Sequence, residues 1–499
     1  MRILLIDPPF YRLIGYYNRY FPLGLAQLAA VLQSKGHEVL ILDSDANIHP
    51  DKMNFAGLEQ TYPAYLREVA AGAHPAFVDI RCVLAEFKPD MVGISVWTTY
   101  LASAIKVAEI CKEWNKAVPV IMGGPHVSIR AEELLDICDA TDVLVRGEGE
   151  ETILELVEFF SGGADRETGL QKIKGVTFRA GGEIKSNPDR IFVQELDSLP
   201  LPARAALFHK ESYDSEDMGL IMATRGCPYA CTYCATSIWG RKVRYRSVAN
   251  VVAEIKEVMA AYGTRQFAFK DDSFTINKAY TLEFCETLIR EKLDINWECN
   301  ARVDSIDLYL LLKMKAAGCN SIKVGVESGS GRVLKMMDKG ITHEQCRKAA
   351  RAFKESGIFW TAYFMIGLPG ETREEMYQTL DLMRELGPDF ASLSVYEPFP
   401  GTKLYDIGLE RGLVADARSK DDYFAISPKY YYVKDLSRRV DTMPEAEFAA
   451  VEAEIKAAFR KYNLAFPRLA KRGLSRLGVY LDRPAILGRD IKKFFAYLK

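Results

Sequence analysis

The sequence predicts an α/β protein made of two successive parallel-sheet domains and a mainly helical C-terminal tail. In both domains, short apolar stretches alternate with amphipathic stretches of helical period along the 499-residue chain. Strands that alternate with helices in this way form parallel sheets covered by those helices. A turn-rich segment, residues 166–215, separates the two domains, and residues 406–499 show no further alternation.

Residues 1–165 predict a Rossmann-like, doubly wound sheet. We expect its five strands at Ile3–Ile6, His37–Leu42, Asp90–Ser95, Val118–Met122 and Asp142–Val145. We expect its helices at Leu23–Leu32, Ala102–Trp114 and Thr152–Phe160. Ligands of such sheets bind beyond the carboxyl ends of the strands, so the loops that follow the strands are candidate binding loops.

Residues 166–215 predict a hairpin around Gly181 and Gly182, followed by a proline-containing linker. Residues 216–405 then predict a partial (β/α)6 barrel, because six strand–helix units are too few for a closed eight-unit barrel. Its strands are expected at Leu220–Thr224, Gln266–Phe269, Ile295–Cys299, Ser321–Val326, Thr361–Ile366 and Ala391–Tyr396. Its helices are expected at 248–261, 278–292, 306–316, 332–356 with a break at Gly340, and 373–385.

Composition narrows the class of protein. Hydrophobic residues make up 48% and charged residues 26%, which excludes a disordered chain. The net charge of −2 argues against general nucleic-acid binding, and we expect no nucleic-acid partner. The chain has neither an apolar run long enough to span a membrane nor a signal-peptide pattern, so we expect a cytoplasmic protein. In that compartment, closely spaced cysteines are metal ligands or catalytic groups.

One such group lies in the first loop of the predicted barrel. Residues 224–234 read TRGCPYACTYC, so Cys227, Cys231 and Cys234 are spaced C-x3-C-x2-C. Three thiolates within eight residues can bind one soft metal centre. A structural zinc site needs four ligands, and no fourth Cys or His lies nearby in the sequence. A [4Fe–4S] cluster normally takes four thiolates, so three would leave one iron open.

This spacing, with the aromatic Tyr233 before the last cysteine, resembles the signature of the radical S-adenosylmethionine (SAM) superfamily. The resemblance implies that the open iron of a [4Fe–4S] cluster binds SAM. One electron from an external reductant of the flavodoxin or ferredoxin type then cleaves SAM to a 5′-deoxyadenosyl radical. That radical takes a hydrogen atom from an unactivated carbon, and the protein provides orientation and protection.

The resemblance also implies roles for residues at the ends of the barrel strands. Asp271 and Asp272 stand where many members carry a Gly-Gly-Glu motif for the SAM amino group, so either acid is a substitute. The other implied SAM contacts are Tyr233, Arg302, Glu327, Ser328, Ile366 and Gly367. Tyr396 and Glu397, at the end of strand six, are the predicted catalytic residues near the substrate.

A Rossmann-like domain before such a barrel resembles the cobalamin-binding class of this superfamily, over roughly residues 1–400. The resemblance implies a corrinoid over the carboxyl edge of the first sheet, contacted by three loops. These loops are Asp7–Tyr17, Ser95–Tyr100 and Gly123–His126, with Ser95, Thr98, Gly123 and Gly124 as binding residues. Glu148 and Glu150 would contact the corrinoid or cap the next helix.

One departure affects the cobalamin prediction. Many cobalamin proteins carry D-x-H-x-x-G after strand one, whereas this loop reads DPPFYRLIG and has no histidine. Asp7 and Gly15 are present at the wrong spacing. Any bound cobalamin would therefore lack a histidine ligand from this loop. Either His126 replaces it, or the cobalt has no such ligand, or the domain kept the fold and lost the ligand.

Four functions remain open. The first is a cobalamin-dependent radical SAM enzyme that methylates an unactivated carbon through a 5′-deoxyadenosyl radical and methylcobalamin. The second is oxidative cyclisation or rearrangement, as in the anaerobic magnesium-protoporphyrin IX monomethyl ester cyclase group. Methylthiolation of tRNA would need a second cluster, but Cys82, Cys111 and Cys138 are patterned as core residues. A sensor without activity would not need an open iron.

The tail is basic, with twelve Lys and Arg but two acidic residues in positions 455–499. Basic amphipathic helices lie on anionic membranes, or they pack their apolar side on their own domain and leave the charges in water. The first case predicts peripheral membrane contact and a lipid-like rather than another small-molecule substrate. A tRNA partner is a weaker interpretation of the same charges.

Overall fold

A computed structural model describes residues 1–15, 21–46, 58–162, 169–414, 440–482, 487–488 and 491. Two compact units form: the described residues up to Met218 belong to the first, and those from Gly219 to 414 and from 440 on belong to the second. No helix in the described part of the chain is both long and apolar enough to cross a membrane.

A seven-stranded sheet forms the centre of the first unit. Its strands are β1 (Arg2–Asp7), β2 (Glu38–Asp43), β3 (Met91–Ser95), β4 (Val120–Gly123), β5 (Val143–Val145), β6 (Val176–Ala180) and β7 (Glu183–Ser186). They lie in the order β2-β1-β3-β4-β5-β6-β7, and the first five are parallel. The predicted Rossmann-like sheet is confirmed. Because the chain winds outwards in both directions from β1, the ligand crevice of this topology lies beyond the ends of β1 and β3.

The helices of this unit are α1 (Leu23–Gln33), α2 (Leu58–Ala71), α3 (Pro75–Phe87), α4 (Leu101–Trp114), α5 (Pro125–Ile137) and α6 (Glu150–Gly162). The helices predicted for α1, α4 and α6 are confirmed, whereas α2, α3 and α5 were not expected. Both α3 and α5 begin with proline, which favours the first helical position because its missing N–H would be unpaired there.

The predicted hairpin is the pair β6 and β7, and it belongs to the first sheet. Gly181 and Gly182 both have positive φ, of 60° and 83°, as a tight two-residue hairpin turn requires. β6 pairs antiparallel with β5 from Val143 to Val145. The segment assigned to a separate region at 166–215 therefore begins with an extension of the first sheet.

The second unit contains a six-stranded parallel sheet, which confirms the predicted partial barrel. Its strands are β8 (Leu220–Ile221), β11 (Gln266–Phe269), β12 (Asn296–Ala301), β13 (Cys319–Glu327), β14 (Phe359–Ile366) and β15 (Phe390–Val395), in sequential order. The predicted first strand is two short pieces, because β9 (Thr224–Arg225) leaves the sheet and pairs with β10 (Arg244–Tyr245).

Helices follow the strands of this sheet as predicted. They are α7 (Val248–Tyr262), α8 (Lys278–Arg290), α9 (Leu308–Ala316), α10 (Gly331–Met336), α11 (His343–Ser356) and α12 (Arg373–Leu386). The break expected at Gly340 lies between α10 and α11, where this glycine has a φ of 67°. The described tail is helical: α13 (Lys403–Glu410), α14 (Glu445–Asn463), α15 (Phe466–Ser475) and α16 (Leu477–Asp482).

Candidate cofactor and active site

The three-cysteine loop follows β9 at the carboxyl end of the barrel sheet. Gly226 has a φ of 94°, and a Cβ there would lie 2.6 Å from the carbonyl oxygen of Lys242. Only glycine fits this turn. The Cys227 N–H donates to the Gly240 carbonyl at 3.2 Å, and the Cys234 N–H donates to the Cys231 carbonyl at 3.1 Å. These contacts curl the loop, and its three cysteines are half-buried and outside any disulfide.

Thr232 anchors this loop to the neighbouring helices. Its N–H donates to the Met337 carbonyl at 2.9 Å, and its hydroxyl donates to the Met336 carbonyl at 3.1 Å. Its own carbonyl accepts from the Leu404 N–H at 2.9 Å. The loop is therefore held by the end of α10 and the start of α13.

The donor chemistry of this loop fits a cluster. Burial raises the pKa of the Cys227 and Cys231 thiols, whereas the nearby Lys339 and Arg302 cations lower that of Cys231. As the side chains stand, no three Cys, His, Asp or Glu groups in the described ranges form a site for a single metal ion. Three thiols on one loop suit a four-iron cluster, which spreads its ligands more widely than one ion does.

Tyr233, Glu327 and Lys339 meet beside the cysteine loop. The Tyr233 hydroxyl donates to Glu327 Oε1 at 2.9 Å, and Lys339 Nζ lies 2.7 Å from the same oxygen and 3.1 Å from the tyrosine oxygen. Glu327 has a φ of 69° at a register shift of β13, which turns its side chain towards the loop. A Cβ on Gly325 would lie 2.2 Å from Glu327 Oε1, so glycine keeps this space open. The sequence analysis predicted Tyr233 and Glu327 at this edge of the sheet but did not single out Lys339.

Arg302 lies against the same loop, where its contacts are internal. Its guanidinium pairs with Asp304 at 3.0 Å and donates to the Lys339 carbonyl at 2.7 Å. Its Cζ lies 3.5 Å from the ring centroid of Tyr229. Arg302 thus braces the Lys339 backbone and the loop. Ser328 is fully buried, and its hydroxyl accepts from the Ser330 N–H at 3.1 Å.

The two acids that follow β11 lie in different environments. Asp271 is buried and accepts from the Thr224 hydroxyl at 2.6 Å and from the Ala223 N–H at 3.3 Å. Burial raises its pKa to about 6. Asp272 is exposed, contributes a charge near Cys227, and has its pKa raised to about 6 by partial desolvation. Asp271 holds the start of the cysteine loop, whereas Asp272 is available to a ligand.

Ile366 and Gly367 end β14 as predicted, and both face protein. Ile366 is fully buried. A Cβ on Gly367 would lie 2.9 Å from the Phe448 ring, so α14 packs directly on this glycine. The backbone N–H groups of Gly367 and Leu368 donate to Glu371 Oε2 at 2.6 Å and 3.0 Å. Burial raises the pKa of Glu371 to about 8, and this acid was not singled out from the sequence.

Tyr396 and Glu397 follow β15, but the tyrosine is packed. Tyr396 belongs to a buried apolar cluster with Val333, Met337, Leu368 and Leu404, and Tyr233 packs against this cluster. Burial raises the pKa of the Tyr396 phenol. The geometry favours Tyr396 as a support for Tyr233. Glu397 is half-buried.

A polar inner face of the barrel sheet was missed by sequence reasoning. On the central strands, buried residues alternate with accessible polar ones, which parallel sheets covered on both sides do not show. Lys323 Nζ lies 2.5 Å from Glu298 Oε1, and Tyr363 is 39% exposed in the middle of β14. Burial, and then Lys323, lower the pKa of nearby Lys270, which Glu298 raises. The period-2 placement of these polar residues in apolar strands was the available signal.

At the carboxyl edge of the first sheet, the predicted polar residues have internal partners. Thr98 Oγ1 lies 3.0 Å from His126 Nδ1, and Ser95 hydrogen-bonds the Tyr100 hydroxyl. Burial lowers the pKa of His126 to about 3, so this histidine is a neutral, buried residue rather than an open loop ligand. Trp97, between Ser95 and Thr98, is 50% exposed and was not predicted.

Gly123 and Gly124 follow β4 at this edge. A Cβ on Gly124 would lie 2.9 Å from the Val96 carbonyl oxygen, and its φ is 116°. This glycine therefore lets β4 and the loop after β3 come together. Gly123 has ordinary space around it, because a Cβ there would lie 3.5 Å from the Val145 carbonyl oxygen.

Asp45 shapes the loop that lacks the expected histidine. Its carboxylate accepts from the N–H groups of Phe10, Tyr11 and Arg12 at 2.8, 3.1 and 2.9 Å. Asp7 accepts from the Tyr100 hydroxyl at 3.1 Å, and burial raises its pKa well above the usual range. Residues 16 and 17 of the predicted loop lie outside the described residues.

Glu148, the first acid of the loop RGEGEE at residues 146–151, has a structural role. Glu148 is buried and accepts from the Val193 N–H at 2.7 Å. Glu150 is buried in the first turn of α6. Glu148 thus ties down the segment after the hairpin, which neither predicted role included.

These features define an α/β iron–sulfur enzyme with a doubly wound domain before its catalytic sheet. Residues 13–157 match the B12 binding domain family, and residues 221–383 match the Radical SAM superfamily. An uncharacterised methyltransferase of Pyrococcus horikoshii is 32% identical over 96% of this chain and 98% of its own length. The chain belongs to the radical SAM superfamily, in the class with an N-terminal B12 binding domain.

One further relative and one solved structure are similar to this chain. The anaerobic magnesium-protoporphyrin IX monomethyl ester cyclase of Rubrivivax gelatinosus is 30% identical over 65% of this chain and 60% of its own length. The radical SAM methyltransferase TsrM from Kitasatospora setae, solved with cobalamin and a [4Fe–4S] cluster, has a TM-score of 0.67. It covers 92% of this chain and 88% of its own at 19% identity, and this likeness supports the fold. The predicted cofactor set agrees with both matched domain families.

Proposed function

We propose that this protein is a cobalamin-dependent radical SAM methyltransferase that acts on an unactivated carbon of a small molecule. The observation that carries the proposal is the three-cysteine loop braced by Tyr233, Glu327 and Lys339, in a chain that also has a B12 binding domain. When bound, the cluster, SAM and cobalamin would supply a 5′-deoxyadenosyl radical and a methyl group.

The chain's own residues would bind and orient these groups. Cys227, Cys231 and Cys234 would hold the cluster. Asp272, exposed near Cys227, is the better candidate for the SAM amino group than Asp271, whose carboxylate is already engaged. The Tyr233 and Glu327 oxygens would offer polar contacts to the nucleoside of SAM, and Lys339 holds Glu327 in place.

The edge of the first sheet would take the corrinoid. The N–H groups of Phe10 and Tyr11 donate to Asp45, so the described part of this loop is held in place without a histidine. Trp97 gives that edge an exposed aromatic surface. His126 is buried and bonded to Thr98, which favours a cobalamin without a histidine ligand from this edge.

The polar inner face of the barrel would meet the substrate. Lys323, Glu298 and Tyr363 are accessible on neighbouring strands. Glu397 is half-buried at the end of β15 and stays a candidate catalytic residue. An external flavodoxin- or ferredoxin-type protein would supply the electron. We further propose a cytoplasmic protein without a nucleic-acid partner.

Cyclisation is the second candidate, favoured by the cyclase of Rubrivivax gelatinosus as a relative. Product mass distinguishes the two reactions, because methyl transfer adds one carbon and cyclisation adds none. The first experiment is to count corrinoids per chain after anaerobic reconstitution with cobalamin, and to follow the Trp97 fluorescence during loading. We expect one corrinoid per chain. We also expect the bound corrinoid to quench tryptophan fluorescence in the wild type and in Trp114→Phe, but not in Trp97→Phe.

An intact cluster that cleaves SAM without binding any corrinoid would overturn the methyltransferase proposal. A product of unchanged carbon count from a corrinoid-loaded enzyme would select cyclisation instead. Isotope from methyl-labelled SAM appearing in the product is the result expected here.

A further inference from the structure

The described tail carries an apolar ridge that faces solvent. Phe466, Ala470 and Leu474 lie one turn apart on α15, and Leu477 and Leu481 lie one turn apart on α16, so each helix has an apolar face. Phe466 is 82% exposed, Leu474 69% and Leu481 75%. Isolated exposed leucines are ordinary, but a row of them along helices marks an interaction surface.

Three basic side chains on the other side of α15 contact their own domain. Lys471 Nζ lies 2.6 Å from Asp389 Oδ1, and Arg468 Nε donates to the Pro388 carbonyl at 3.4 Å. The Arg472 guanidinium lies 5.2 Å from the Phe390 ring. All three partners are at the amino end of β15, so these contacts hold the helix on its domain while Lys471 and Arg472 remain exposed. An amphipathic helix that only packed on its domain would have the opposite orientation.

We propose that this ridge inserts into the surface of an anionic lipid bilayer. Positions 466–482 contain four basic residues and one acid, Asp482, and Lys471 keeps 46% of its side chain exposed beside its ion pair. Long basic side chains at the flanks of an apolar face reach anionic headgroups while the apolar groups enter the acyl boundary. A second copy of the chain would instead bring like charges together along the ridge.

The ridge is placed so that the contact leaves the site open. α15 contacts the amino end of β15, whereas the cysteine loop lies at the carboxyl end of the same sheet. The proposed contact is peripheral, because the ridge occupies two helices of ten and six residues and a spanning helix needs about 20. The inference goes beyond the proposed reaction and does not depend on its chemistry.

The test is flotation of the full-length, reconstituted protein with vesicles of phosphatidylcholine containing roughly 30% phosphatidylglycerol, an anionic lipid. We expect flotation with these vesicles and at least about ten-fold less with phosphatidylcholine alone. Phe466→Ser with Leu474→Ser, and separately Leu481→Ser, should lose flotation. The matched control is Tyr309→Ser with Leu312→Ser, an exposed aromatic and leucine on α9, which should float like the wild type.

Three results would overturn the proposal. They are no flotation of the wild type, unchanged flotation of the ridge variants, and a vesicle-free dimer by light scattering that the ridge variants abolish. The last result would assign the ridge to a second copy. Reductive SAM cleavage without vesicles should be equal in all variants. Failure of the proposed reaction can therefore be distinguished from failure of the membrane contact.

Discussion

At the scale of single residues, the buried charges beside the cysteine loop have defined partners. Lys339 touches both the carboxylate of Glu327 and the hydroxyl of Tyr233, and its carbonyl accepts from Arg302. A buried carboxylate that loses its cation is costly, because no water replaces the pairing. Lys339 is therefore a positioning residue for the two predicted SAM contacts.

Lys339→Met tests this role. Removing one partner of a buried pair costs about 3–5 kcal/mol, so we expect a lower free energy of unfolding and weaker SAM binding. Lys335→Met, on the exposed side of α10, is the control and should leave both unchanged. Denaturant unfolding and SAM titration measure the two effects. Equal SAM affinity in Lys339→Met and wild type would contradict the positioning role.

Glu371 gives a pH-dependent prediction. Its pKa is raised by burial from 4.5 to about 8, so the folded protein holds a proton there that the unfolded chain releases between these values. Stability from this group is therefore present below pH 4.5 and is lost as the pH rises towards 8. Relative to Glu371→Gln, the wild type should lose up to about 1.4 kcal/mol per pH unit.

Thermal unfolding of both proteins from about pH 6 to about pH 8 measures this difference. Glutamine keeps an acceptor for the N–H groups of Gly367 and Leu368, so the folded loop is preserved. Parallel curves for the two proteins across this range would show that Glu371 is ionised throughout.

At the scale of elements, the conformation of the cysteine loop depends on its turn. Gly226 combines a φ of 94° with a carbonyl oxygen 2.6 Å from where a Cβ would lie. Thr232 fixes the middle of the loop to α10 and α13. The turn and these anchors thus shape the loop, and the strain of a side chain at Gly226 would fall on the three cysteines.

Gly226→Ala should reduce cluster incorporation well below that of the wild type while most of the fold remains. The control is Gly263→Ala, a helix-capping glycine of similar φ, 67°, with open space around it. Both changes carry the positive-φ cost of about 1 kcal/mol, but only the first displaces backbone at the loop. Iron and sulfide per chain after reconstitution measure the result, and full loading of Gly226→Ala would contradict this account.

At the scale of the whole molecule, charge is unevenly distributed. The net charge is −2, although residues 455–499 alone carry twelve basic and two acidic residues, so the remainder is acidic. An anionic surface would therefore repel most of the chain and attract the tail. Attraction of this kind is screened by salt.

Salt should accordingly weaken vesicle binding. Raising the salt from about 0.05 M to about 0.5 M shortens the screening length several-fold, and we expect flotation with anionic vesicles to fall steeply. Arg472→Gln should shift the fall to lower salt, with Lys292→Gln, at the end of α8, as the control. Salt-independent flotation would mean that charge does not contribute to the contact.

Local sequence patterns were sufficient to predict the two sheets and to place the three cysteines in one loop, because each depends on residues that are neighbours along the chain. Apolar runs predicted eleven strands, five in the first sheet and six in the barrel, each within a few residues of its observed position. Three cysteines in one loop are neighbours in any fold. Contacts between distant positions needed the tertiary structure. The choice of Asp272 over Asp271 and the meeting of Lys339 with Glu327 depend on which group is already bonded. The exposure of the apolar ridge also needed the tertiary structure. An amphipathic pattern gives a helix two faces, and only packing decides which face meets solvent.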